Sequence, residues 1–78
     1  MILNIFCYQV TMNINEINYI FQYPPNLDSK SAAQAMSEQF CKDNAVDVGI
    51  DLKSTSDDDL FKICIVPLTA GLLKEMNA

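Results

Sequence analysis

The side chains able to do chemistry in this chain are carboxylates, thiols and amines. Six of the seven aspartates, Asp43, Asp47, Asp51, Asp57, Asp58 and Asp59, crowd into the stretch KDNAVDVGIDLKSTSDDD. Neighbouring carboxylates can divide acid and base roles or hold a divalent cation. A calcium loop of the EF-hand type needs ligands at its first, third and fifth positions, glycine at the sixth and glutamate at the twelfth. Counted from Asp51, the last four of those positions hold Lys53, Thr55, Ser56 and Lys62, so the loop fails. Histidine is absent, which removes the group best suited to proton transfer near neutrality. Cys7, Cys41 and Cys64 show no C-x-x-C spacing. They read as small buried apolar residues of a reducing compartment rather than as a zinc site. No catalytic residue, metal or cofactor is expected.

Charge narrows the partner. There are ten acidic residues against five lysines and no arginine, a net charge of −5. Arginine is the usual reader of phosphate and guanine, so direct nucleic-acid binding is not expected. An acidic surface attracts basic protein partners and is repelled by anionic membranes. The N-terminal MILNIFCYQV is apolar, but no basic residue precedes Lys30, and Asn4 and Gln9 interrupt it. It therefore lacks the basic start and the unbroken apolar run of a signal peptide or membrane span. The expected location is the cytoplasm.

The elements that must position the aspartates follow from periodicity. Seventy-eight residues make one α+β domain. Residues 2–11 read as a strand apolar on both sides, with Ile2, Phe6, Tyr8 and Val10 opposite Leu3, Ile5 and Cys7. MNIN at 12–15 reads as a turn. Residues 16–23 read as a second strand, with Ile17, Tyr19, Phe21 and Tyr23 on one face and Ile20 an apolar exception on the other. Pro24 and Pro25 end it. Asp28 or Ser29 then caps a helix over SKSAAQAMSEQFCKDN, whose stripe is Ala32, Ala33, Met36 and Phe40 with Cys41 at its border. Ser37 falls outside that stripe, and Asn44 closes the helix.

Residues 45–53 alternate cleanly, Val46, Val48, Ile50 and Leu52 against Asp47, Gly49, Asp51 and Lys53, which predicts a third strand. STSDDD reads as a loop, residues 60–66 (LFKICIV) as a fourth strand, and Pro67, Leu68, Leu72 and Met76 as a short terminal helix. The expected architecture is a four-stranded sheet of order 2-1-4-3, in β-β-α-β-β sequence, with the long helix on one face. Its second face would carry residues such as Leu3, Ile5, Cys7 and Cys64 and would be covered by the terminal helix or by another chain.

On a third strand, Asp47 and Asp51 would stand about 13 Å apart on the solvent side, a spacing comparable with alternate phosphates of a nucleic-acid strand. With Asp43 and Asp57–Asp59 they would form an acidic strip suited to a groove built for nucleic acid. The same charges would equally keep an edge strand from pairing with other sheets.

The layout ILNIFCYQV, EINYIFQY, DSKSAAQAMSEQFCKDN, AVDVGIDL, LFKICIV resembles that of small phage-encoded anti-CRISPR inhibitors. That resemblance implies stoichiometric binding to a CRISPR-Cas effector at a positively charged nucleic-acid channel, with the six aspartates in contact. The expected function is thus a non-enzymatic inhibitor that docks on the basic surface of a nucleic-acid-processing complex. The alternative is a homodimerising structural module that uses the apolar sheet face.

Overall fold

The computed structural model describes residues 7–77. Strands β1 (Tyr8–Ile14) and β2 (Ile17–Tyr23) form an antiparallel hairpin, which is followed by helix α1 (Ser29–Asp43). A looped segment then leads to a helical rod of three parts: α2 (Asp57–Leu60), a π-helical turn (Phe61–Ile65) and α3 (Val66–Met76). The sheet has two strands, not four. The expected third and fourth strands are a turn and a helix respectively, so the order 2-1-4-3 is not this fold.

The hairpin obeys strand periodicity. Residues paired across it share a face, so Tyr8/Tyr23, Val10/Phe21, Met12/Tyr19 and Ile14/Ile17 lie together, and Gln9/Gln22, Thr11/Ile20 and Asn13/Asn18 lie opposite. The first set includes the buried Val10 and Phe21 and meets both helices. Among the described residues the second set is polar apart from Ile20. Of the residues assigned to that face, Leu3 and Ile5 lie outside the described residues, as do Ile2 and Phe6. The hairpin turn is Asn15–Glu16 and not the expected residues 12–15, since Met12, Asn13 and Ile14 belong to β1, and both turn residues are left-handed, with φ of 52° and 68°. That geometry matches the twist of paired strands, and Asn tolerates it better than Glu does.

Alanine and unbranched residues make α1 a helix by local preference. Ala33, Ser37 and Cys41 recur at every fourth residue and are all fully buried. Ser37, expected outside the stripe, is satisfied there because its Oγ donates to the Ala33 carbonyl at 2.7 Å. This narrow line faces the rod, since Cys41 is disulfide-bonded to Cys64 across a Cα separation of 6.3 Å. Cys41 and Cys64 are therefore not simply buried apolar residues, and although Cys7 is a free thiol the set no longer argues for a reducing compartment. Phe40, on an adjoining line, packs edge-on against Tyr19 at 4.8 Å and tilted against Phe21 at 5.5 Å. At Gly71 of α3, an added Cβ would lie 2.5 Å from Met12 Cε, so the missing side chain leaves room for the flexible tip of Met12.

Two local devices explain why the last two expected strands do not form. After α1 the chain makes one further helical turn, in which Ile50 N donates to Ala45 O (2.8 Å) and Gly49 N to Val46 O (3.1 Å). This is a Schellman closure, and Gly49 supplies the left-handed residue it needs, with φ of 76°. Further on, Ser56 Oγ accepts from Asp59 N at 3.2 Å and starts the rod. Asp57, Asp58 and Asp59 occupy the first turn, where carboxylates favour the exposed N–H groups. LFKICIV follows as a continuation of that helix. Leu60 and Ile65 are both buried although five residues apart, and i→i+5 bonding in the π turn places them on one line. Leu68 and Leu72 continue that line at ordinary helical spacing. Pro67 enters directly after the widened turn, near the start of α3, where its missing N–H is tolerated best.

Candidate functional site

The six aspartates are all exposed, but they do not form a strip along a strand. They are held by four different local structures. Asp43 ends α1, and its Oδ2 accepts from Gln39 Nε2 at 2.7 Å. Asp47 lies in the extra turn, and its backbone carbonyl accepts from Asn15 Nδ2 of the hairpin tip at 3.0 Å. Asp51 organises its own bend: its Oδ1 accepts from Lys53 N at 3.0 Å and its carbonyl from Ser54 N at 3.2 Å. Asp57–Asp59 begin the rod. The 13 Å separation expected on a strand therefore has no basis in this fold.

What the turn does create is an open cleft of about 500 Å³ between the end of α1 and the segment that follows. Asp43 and Asp51 line it together with Lys42 and Lys53, while Asp47 and Asp57–Asp59 do not. Val46, Ile50 and Leu52 supply its apolar surface. Val46 is 89% exposed, an extreme value for valine, and Leu52 is 45% exposed. An apolar patch beside mixed charge is the usual make-up of a protein-binding surface, which has a water-excluding centre and a polar rim.

Strand alternation had hidden these two apolar residues by assigning them to the core with Val48 and Ile50. Only Val48 and Ile50 pack against the core. The available signal was Gly49, a glycine closely following a helix, which marks a C-terminal cap more readily than a strand interior. Among the described residues, no three His, Cys, Asp or Glu side chains converge to hold a metal ion. No described helix is long and apolar enough to cross a membrane.

No family model matches the sequence, and no curated protein and no solved structure is found to be similar to it. The layout likeness to anti-CRISPR inhibitors also loses two of its five parts, since AVDVGIDL is a turn and loop and LFKICIV is helical.

Proposed function

We propose that this chain acts by binding another protein, without catalysis, through the acidic end formed by the close of α1 and the segment up to Asp59. The observation that carries this reading is Val46, a nearly bare valine on a cleft rimmed by Asp43 and Asp51. Burying a side chain of that kind contributes about 2 kcal/mol to an interface. Residues 42–59 carry six carboxylates against two ammonium groups, and so hold four of the five net negative charges. A partner surface that is basic around an apolar socket fits both features. Complexes that handle nucleic acid present such surfaces, and a CRISPR-Cas effector is the specific candidate.

The test is affinity capture from a CRISPR-bearing bacterial lysate at low and high salt, read by mass spectrometry. The wild-type chain is compared with an Asp43→Lys, Asp47→Lys, Asp51→Lys variant and with Val46→Ser. The expected result is a nucleic-acid-binding complex recovered at low salt, weakened by salt, and lost with either variant. Recovery of the chain alone, or equal recovery by the charge-reversed variant, would overturn the proposal.

A further inference from the structure

The hairpin offers a second surface, which shares only Asp43 with the acidic cleft and stands whether or not that cleft binds anything. A two-residue turn is closed by a hydrogen-bonded pair, here Ile14 and Ile17, and bonding alternates along the strands from there. Ile17, Tyr19, Phe21 and Tyr23 thus direct their backbone groups to β1, while Asn18, Ile20 and Gln22 direct theirs away from it. Those outward N–H and C=O groups have no partner among the described residues. Exposed strand edges normally carry lysine, proline or a bulge that discourages pairing. β2, INYIFQY, has no charged residue and no proline.

Beside this edge runs a groove of about 320 Å³, walled by β2 residues Tyr19–Gln22 on one side and by Met36, Gln39, Phe40, Asp43 and Asn44 of the α1 end on the other. Its direction can be assigned. Residues 24–28 return the chain from Tyr23 to Ser29, so α1 runs back alongside β2, and the Asn15–Asp47 bond ties the far end of α1 to the hairpin tip. Met36 accordingly lies toward Phe21 and Gln22, and Asp43 toward Asn18. Phe40 makes the floor. Asp43 is the one charged residue lining the groove, and its Oδ1 has no partner among the described residues.

We propose that β2 accepts an extended segment of a partner protein as a third strand, laid in the groove between β2 and α1. Asn18 to Gln22 spans about 13 Å, so the segment is about five residues long. Its alternate side chains are apolar where they meet Phe40 and Met36, and a lysine or arginine sits at the hairpin-tip end against Asp43. Main-chain bonds would supply affinity and the two groove ends specificity. A second copy of the chain is the poorer occupant, because each copy carries a net charge of −5. On the β1 side the corresponding groove reaches only Met12–Asn15 at the hairpin tip.

The probe is a randomised short-peptide display library selected against the whole chain. Enriched peptides are expected to alternate apolar residues and to carry one lysine or arginine. Their binding should protect the amides of Asn18, Ile20 and Gln22 from hydrogen exchange. Ile20→Pro removes only an outward donor, which an edge strand tolerates, and should weaken binding about tenfold or more. Val46→Ser, which alters the cleft and not the groove, should leave peptide affinity unchanged. No enrichment, binding that Ile20→Pro leaves intact, or a dimer joined through β2 would each overturn the proposal. Should Ile20→Pro fail to fold, the exchange of the three amides in the wild-type chain decides alone.

Discussion

The two long helical pieces of this protein are held by opposite means. α1 is rich in alanine and would tend to be helical in almost any setting. The capping residue before it, Asp28, makes no side-chain cap bond, and its buried line of Ala33, Ser37 and Cys41 is built from small side chains. The rod from Asp57 to Met76 contains Ile63, Ile65, Val66 and Pro67, poor helix formers in sequence, and it needs a cap, a disulfide and a line of large side chains to stay helical. Local preference carries the first helix, and tertiary constraint carries the second.

The largest test of this contrast is to remove the disulfide. Cys41 and Cys64 are 23 residues apart, and closing a loop of that size contributes about 3 kcal/mol in the chain-entropy account. A Cys41→Ala, Cys64→Ala variant should lose about that much in a urea melt, and hydrogen exchange should show the rod opening before α1. Uniform opening of both helices would erase the distinction. A smaller effect sharpens it. Ser56→Ala should cost about 1 kcal/mol because a made cap bond is lost, whereas Asp28→Ala should cost less than about 0.5 kcal/mol. Equal costs in paired thermal melts would show that the two starts do not differ. An effect comparable with that of the Ser56 cap is expected in the segment between the helices, again read from a urea melt. Gly49→Ala meets no neighbour within 4 Å, so its cost should be the left-handed backbone alone, about 1 kcal/mol.

The same contrast governs what could be read from the amino-acid order. The faces of β2, the odd position of Ile20, the span of α1 and its closure by Asn44 were legible, because each follows from residues a few positions apart, whereas β1 was expected to end at residue 11 and carries a polar outer face of Gln9, Thr11 and Asn13. Leu60–Val66 was not. Its β-branched run has strand preference, and only the Ser56 cap, the bond to Cys41 and the π turn reverse it. Residues 45–53 misled for a different reason. Alternation was real, but Gly49 ended a helix inside it, leaving Val46 bare and Ile50 tucked in. The aspartates were singled out correctly as an exposed group, yet their spacing depended on a strand that is absent. The open edge of β2 was legible too, since the expected order 2-1-4-3 already placed that strand at an edge, and among the described residues no further strand lies beside it.

The π turn has a consequence in chain length. A regular α-helix beginning at Leu60 would bring its next buried residue four positions on, but here it comes after five, at Ile65. The rod therefore contains one residue more than its buried line requires, and the surplus lies among Phe61, Lys62 and Ile63, all facing solvent. Length and packing are uncoupled over that single turn. Deleting one residue there is expected to tighten the turn to an ordinary helix, and the Cys41–Cys64 bond and a thermal melt of the shortened chain would show whether Leu60, Ile65, Leu68 and Leu72 keep a common face.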